Sequence, residues 1–399
     1  MSIRKQVVAV IFGGRSVEHD VSIVTANQII KALDPNTYET IPVYISRDGK
    51  WFSGESLKDI SSFNTDQIHT RSDVTSVILS PDIRHHGLII NPLAGRFQKS
   101  EVIRLDCVIP AIHGSHGEDG TLQGLLELAE IPYVGCETLS SALTNDKIMT
   151  KQIMRQYNIP VVDDIWFYRE EWLNNQTTII NKINDQLKFP VFVKPATLGS
   201  SIGVSKADSL ESLKISIELA LAFDSRVLVE NAVVNGIEIN CSVIGRRDQM
   251  KASTLEQPIS WDDFLSFEDK YLSGNEGMKS ADRIIPAPLS EALTKQIQEL
   301  SIRAFQCVNG SGIARIDYLV KPEENKIYLN EFNTMPGSLA FYLWQASDIS
   351  QSKLLDLLIE YAKENQVEKR RNIYNYKTNL ISVAQARGTK GIKGSKSVT

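Results

Sequence analysis

Long apolar runs are missing from this 399-residue chain, and with them any segment of the roughly 20 residues needed to cross a bilayer. Cysteine is scarce. Cys107, Cys136, Cys241 and Cys307 lie far apart, with neither a disulfide framework nor zinc-ligand spacing, so reduced thiols in the cytoplasm are expected. An excess of positive charge is lacking too. A net charge of −5 and a pI near 5.8 argue against nucleic acid or an anionic membrane as the main partner. The one basic stretch, Arg387 through Lys396, is unpatterned and rich in Gly, Lys and Ser, which suits a solvated, flexible tail. Near the start, Arg4 and Lys5 precede only six apolar residues, 7–12, which run into Gly13-Gly14. That pattern predicts a buried first strand rather than a leader peptide. What remains, 42% apolar and 23% charged residues, is ordinary for a globular protein with room for two or three domains.

Strand and helix patterns alternate through residues 1–143: a strand at 7–12, a helix at 21–33, strands at 40–45 and 107–112, and a helix at 121–130. This predicts a parallel α/β sheet with glycine turns at strand ends. At Thr144-Asn145-Asp146 the composition shifts and a capped helix opens a second unit, 144–240. Strands at 189–194, 226–230 and 238–244 and a helix at 210–222 follow. The stretch 255–284 is polar, irregular and long for a passive connection, which marks it as a functional loop. A third unit, 241–365, holds an amphipathic helix at 290–308, a hairpin and a last helix at 351–365; residues 366–399 form the tail.

The hairpin carries the first chemical signal. Arg315-Ile316-Asp317 and Glu331-Phe332-Asn333 fall in two strand-like stretches separated by Pro322-Glu323-Glu324-Asn325. Alternate residues of a strand share a face, so Arg315, Asp317, Glu331 and Asn333 can all enter one cleft. Oxygen ligands beside a fixed guanidinium suit Mg²⁺ holding polyphosphate. Upstream, Lys194 ends a buried strand and precedes the small-residue loop 195–204. Backbone N–H groups there can approach phosphate while the ammonium neutralises it, although no P-loop pattern is present. Glu230 closes another apolar strand and Glu238 follows eight residues later, where strand-end carboxylates can accept hydrogen bonds from ribose hydroxyls. Gly13-Gly14-Arg15-Ser16-Val17-Glu18 and the glycine-rich run 113–120, which begins at His113, both follow parallel strands. Ligands bind at such strand ends in open α/β sheets. Each element taken singly is also compatible with a plain turn or a solvated surface.

In their order these motifs resemble the D-alanine–D-alanine ligase family of the ATP-grasp superfamily. The chain reads GGRSVEHDVS, HGSHGEDGTLQG, a DK pair at Asp146-Lys147, KPATLGSSIGVSK, RID and NEFNTMPG, and the likeness spans residues 5 to 365. It implies a three-domain ATP-grasp fold, with the N-terminal parallel α/β domain and two α+β domains clamping ATP. It implies ligation of two D-alanines for peptidoglycan synthesis, in a cytoplasmic homodimer that needs ATP and two Mg²⁺, with Mn²⁺ able to substitute. By the same resemblance, Lys147, Lys194, Ser201 and Lys270 would contact ATP, and Glu230 and Glu238 would hold the adenosine. Asp317, Glu331 and Asn333 would bind the metal. Glu18 would take the ammonium of the first D-alanine, with His113 near its carboxylate. Arg315 and the Gly337 N–H would stabilise an oxyanion. Ser200 and Tyr271 would join Glu18 in a network closing the loop that holds residues 267–271.

Three departures from the family pattern stand out. After Pro336-Gly337 many members have a Thr/Ser-rich run whose last serine binds the second substrate's carboxylate. Here Ser338-Leu339-Ala340-Phe341-Tyr342 places Tyr342 at that serine. The acceptor is therefore open between D-alanine, D-serine, D-lactate and another amino acid, with Tyr342 or Ser338 as the expected hydroxyl donor. Glu230 and Glu238 are one residue further apart than is common, and Thr197 stands where a longer polar residue is frequent.

Overall fold

The computed structural model describes residues 4–64, 68–92, 100–259, 283–376 and 378–387; the tail beyond 387, together with Lys270 and Tyr271, lies outside the described residues.

Gln6–Gly13 carries the apolar run Val8–Phe12, buried on both faces, as a central parallel strand requires. Tyr38–Ile45 and Cys107–Pro110 flank it, both parallel. The sheet is not parallel throughout. Beyond Tyr38–Ile45 it continues through the antiparallel strands Trp51–Ser53, Thr75–Leu79, Gly87–Ile90 and Glu101–Arg104, making seven in all. Gly13 ends the first strand at φ +87°, and a Cβ there would sit 2.2 Å from the Ile45 carbonyl oxygen. The tight exit delivers Glu18 to the start of helix His19–Ala32.

Two four-stranded antiparallel sheets follow. The first has the order Ser205–Ala207, Val191–Pro195, Arg226–Asn231, Asp164–Tyr168. Helices Gln176–Gln186 and Leu210–Phe223 bury Ile179, Ile183, Leu213 and Ile217 against it. The second has the order Gln249–Ala252, Ile237–Arg246, Ser311–Lys321, Lys326–Asn333, backed by helix Glu291–Cys307 through Leu293, Ile297, Ala304 and Phe305. Strand Ile237–Arg246 belongs wholly to this second sheet, so Glu238 lies in the third unit's sheet. Helix Lys147–Gln156 is capped by Asp146, whose carboxylate accepts from the N–H groups of Ile148 and Met149. Its Met154 packs into the core of the second antiparallel sheet.

The last long helix runs Gln351–Lys369, past the expected end at 365. Gln366 is buried, and Lys369 pairs with Glu127 and with Glu137 at 2.9 Å. The expected tail thus begins after Lys369. No helix among the described residues is long and apolar enough to cross a membrane.

Candidate active site

One cavity lies where the three sheets meet. Its walls include Glu18, His113, Ser200, Glu238, Arg315, Glu331, Asn333, Gly337, Ser338 and Tyr342, so residues from both ends of the chain converge on it. An adjoining hollow is lined by Lys147, Leu198, Glu331 and Asn333.

The hairpin supplies the floor. Arg315 pairs in register with Asn333, and Asp317 with Glu331. Arg315 forks onto Asp317, Nε to Oδ1 and Nη2 to Oδ2 both at 2.7 Å, and Asn333 Nδ2 donates to Asp317 Oδ2 at 2.9 Å. Burial alone would favour a neutral Arg315, but the Asp317 carboxylate outweighs it and holds the guanidinium charged. Just beyond this quartet the ladder slips, Asp317 opposing Glu331 while Tyr318 opposes Leu329. Asn330 is the extra residue of that bulge. Its Oδ1 accepts from Lys194 Nζ at 3.0 Å, which links the two antiparallel sheets. Asp317, Glu331 and Asn333 offer hard oxygen donors on adjacent strands, a set that fits Mg²⁺. Among the described residues, no three His, Cys, Asp or Glu side chains form a metal cage by themselves.

Beside this floor, strand Val191–Pro195 and helix Lys147–Gln156 bring three lysines together, Lys194, Lys147 and Lys151. Glu230 is buried between two lysines, with Lys194 Nζ 2.5 Å from Oε1 and Lys151 Nζ 2.5 Å from Oε2. Burial opposes its ionisation, yet the two ammonium groups hold the carboxyl down at about 2. Lys151 is 1% exposed and also lies 3.6 Å from Asp164. Glu230, expected at the adenosine, is the shared counter-ion of Lys194 and Lys151. Lys147 begins its helix directly after the Asp146 cap and donates to the Leu198 carbonyl oxygen. Burial lowers its pKa, opposed by Glu331 and lowered further by Lys194. Thr197 also finds its reason here. Its N–H and hydroxyl both reach Asp224 Oδ2, at 3.0 and 2.8 Å, which pins the entry of the small-residue loop. Within that loop Ser200 and Ser201 adopt positive φ, and Ser200 donates to the buried Glu18 carboxylate.

At the N-terminal side, Gly114 has φ +70°, and a Cβ there would meet Glu18 Oε2 at 2.5 Å; its lack of a side chain leaves room for that carboxylate. Glu118, inside the glycine-rich loop but not singled out there, accepts from the N–H groups of Gly114 at 2.8 Å and Met335 at 3.0 Å. Burial and the nearby Glu18 raise its carboxyl to about 8. His113 Nε2 lies 2.8 Å from Thr25 Oγ1, which accepts from the Ser338 N–H at 3.2 Å. Burial pushes the histidine down to about 4, the Met335 backbone hydrogen bond working against it. At neutral pH, then, His113 is uncharged, and it secures Thr25 and through it the Ser338 turn.

That turn is strained. Ser338, Leu339 and Ala340 all lie in the left-handed region, with φ of 52°, 48° and 48°, at roughly 1–2 kcal/mol each for residues bearing a Cβ. Strain of this kind persists where the surroundings fix it, commonly at binding sites. Tyr342 follows, and its hydroxyl donates to Glu256 Oε2 at 2.7 Å. Sequence reasoning overlooked Glu256, Asn330, Lys151 and Arg283. The only signal for Glu256 and Arg283 was their position just inside the two ends of the long loop, which pair as the short ribbon Gln257–Pro258 with Arg283–Ile284.

Two antiparallel sheets closing on a cavity beside a parallel-containing α/β sheet define the ATP-grasp architecture. Residues 7–136 match the family model described as D-ala D-ala ligase N-terminus, and residues 153–360 the one described as D-ala D-ala ligase C-terminus. The D-alanine–D-alanine ligase of Thermosipho africanus is 38% identical over 376 residues, covering 94% of this chain and 98% of that protein. That of Acetivibrio thermocellus is 39% identical over 376 residues, covering 90% and 96%. Among solved structures, the D-alanine-D-alanine ligase from Coxiella burnetii has a TM-score of 0.76 at 29% identity, covering 97% of this chain and 100% of that one. The VanG D-Ala:D-Ser ligase from Enterococcus faecalis has the same TM-score at 30% identity, covering 90% and 100%. The chain belongs to the D-alanine–D-alanine ligase family.

Proposed function

We propose that this protein joins two D-alanines at the expense of ATP, giving D-alanyl-D-alanine, ADP and phosphate. The observation that carries the reading is the convergence of Glu18, Ser200, Arg315, Glu331 and Asn333 on one cavity, with Lys147 in the adjoining hollow and Lys194 bonded to Asn330 of the same hairpin. A carboxylate resists attack by an amine, so the γ-phosphoryl group first passes to the carboxylate of one D-alanine. The amine of the second then attacks the acyl phosphate carbonyl and expels inorganic phosphate. Catalysis of such steps is mainly positioning and charge neutralisation.

Each residue has a part in that sequence. Lys147 and Lys194 neutralise phosphate oxygens beside the Ser201 loop. Glu238, with Glu230 behind it, borders the adenosine. Glu18, oriented by Ser200, takes the ammonium of the first D-alanine. Arg315, fixed by Asp317, and the Gly337 N–H face the oxyanion. Asp317, Glu331 and Asn333 would hold two Mg²⁺, which when bound neutralise charge on the transferring phosphoryl group. The acyl phosphate must be kept from water, and the loop 255–284, with Lys270 and Tyr271, is the segment to which this reading gives that task. The family resemblance adds peptidoglycan synthesis in the cytoplasm and a homodimer; sedimentation of the purified protein tests the dimer. D-alanine is assigned as acceptor because the curated relatives at 38–39% identity carry that name.

The test is release of ADP and phosphate with the product identified by mass. Turnover should require both D-alanine and a divalent cation. Equal turnover without D-alanine, or none with any D-amino acid, refutes the reading.

A further inference from the structure

We propose that Arg283, seated on the Tyr342 ring and paired with Glu256, binds the carboxylate of the acceptor amino acid. The proposal rests on the ligase reading above and deepens it, naming the group that takes over from the serine found in many relatives.

Neither hydroxyl donor expected from the sequence meets the need as well. Tyr342 has one proton, and it points to Glu256 Oε2 at 2.7 Å. Ser338 sits in the strained turn with its N–H engaged by Thr25, and its short side chain carries no charge. Electrostatics narrows the choice further. The described residues lining the cavity include five carboxyl side chains, Glu18, Glu118, Glu238, Glu256 and Glu331. An incoming carboxylate needs a cation among them. His113 is neutral at physiological pH, and of the described residues only Arg283 and Arg315 supply positive charge to that lining. Arg315 turns Nε and Nη2 onto Asp317.

Arg283 is placed differently. Its guanidinium carbon is 4.1 Å from the Tyr342 ring centroid, and Nη1 is 3.3 Å from Glu256 Oε1. Stacking fixes the plane of the guanidinium, and Glu256 fixes its rotation about that plane. A planar fork has five N–H donors, so pairing at Nη1 leaves further donor edges for a second carboxylate. Glu256 is in turn held by Tyr342 and by Asn240 Nδ2 at 3.3 Å. Glu256 and Tyr342 are therefore positioning residues, and Arg283 is the binding group. The side chain of Arg283 is 27% exposed, as a group meeting an entering ligand must be.

Initial-rate kinetics on the full-length protein, with D-alanine and D-alaninamide competing as acceptors and products read by mass, decide the point. Arg283→Ala should raise the acceptor-side KM about 10- to 100-fold, the scale of a hydrogen bond to a charged group. The KM values for ATP and for the donor D-alanine should stay within about 3-fold, since Arg283 meets neither in this assignment. The preference for D-alanine over its amide should collapse, because the amide lacks the anion that Arg283 reads. Arg283→Lys should recover part of that preference. Tyr342→Phe, which keeps the ring but frees Glu256, should show a smaller loss in the same direction. An unchanged acceptor KM and an unchanged acid-over-amide preference in Arg283→Ala overturn the proposal. So does an equal loss for donor and acceptor. Failure of the ligase reading looks different: the unaltered protein would then form no dipeptide from any acceptor.

Discussion

Two buried charge clusters stand on the two antiparallel sheets, and they are built on opposite plans. On the first, the cationic wall, Lys151 and Lys194 share the carboxylate of Glu230, and Lys151 also lies 3.6 Å from Asp164. On the second, the anionic floor, the guanidinium of Arg315 forks onto Asp317 while Glu331 lies directly opposite. Lysines surround a carboxylate in one, and carboxylates surround a guanidinium in the other. A buried pair with matched charges gains little over apolar packing, so stability alone accounts for neither; in the ligase reading proposed above, the wall serves phosphate and the floor serves metal. Asn330, bonded to Lys194, is where the two clusters touch.

The sharpest way to break the comparison is to unbalance the cationic wall. Lys151→Met leaves Glu230 with one ammonium and should cost about 3–5 kcal/mol of stability, the range for breaking a buried ion pair. Urea unfolding measures it. The double variant Lys151→Met with Glu230→Gln should recover a good part of the loss, and no recovery would deny that the two act as a pair. On the anionic floor, Glu331→Gln should leave the fold intact and reduce kcat by about 10²–10³-fold, the scale of one electrostatic contact to a transition state. Near-normal turnover would remove Glu331 from the mechanism.

His113 belongs to neither cluster, and it sharpens the contrast through pH. The unfolded chain protonates this histidine near 6.5 and the folded chain only near 4. Between those values the unfolded state binds more protons, so stability falls as the pH drops from 6.5 toward 4. The loss is at most about 3 kcal/mol, because each tenfold change in proton affinity is worth about 1.4 kcal/mol. His113→Gln should flatten that slope in urea midpoints taken at pH 7 and pH 5; an unchanged slope would acquit the histidine. The smallest effect belongs to the far surface. Lys369→Ala removes contacts to Glu127, Glu137 and the Tyr133 ring and should cost about 1 kcal/mol. Ending the chain after Asn365 should cost at least as much stability, read as a lowered Tm, whereas ending it after Lys369 should not.

Legibility followed the range of the interactions. The hairpin quartet could be read because alternation along a strand is local, and the cap at Asp146 because it reaches only two and three residues ahead. The bulge at Asn330 was invisible, since one extra residue changes register without changing composition. Lys151 looked like any helix-surface lysine. In the fold it is 1% exposed and lies between Glu230 and Asp164, two carboxylates that its own helix does not contain. Thr197 and Asp224 stand 27 residues apart, and nothing in either neighbourhood announces the other. The antiparallel extension between Trp51 and Arg104 escaped because its strands are short and their polar faces blur the period.

The helix Gln351–Lys369 carries one more consequence, for the way the chain is made. Its Leu354, Leu355, Leu358, Ile359 and Ala362 belong to the same buried cluster as Val8, Val10 and Phe12 of the first strand. The opening strand is covered first by helix His19–Ala32, through Ile23, Ala26 and Ile29, but the cluster they share is completed only by residues some 350 positions downstream. During synthesis, at about 5–20 residues per second, the side of the cluster that the last helix covers stays open for roughly 20 to 70 seconds. Such distant closure slows folding and invites association of half-made chains. An N-terminal fragment ending at Leu143 should accordingly bind an apolar dye and precipitate, and adding the separate helix peptide should relieve both.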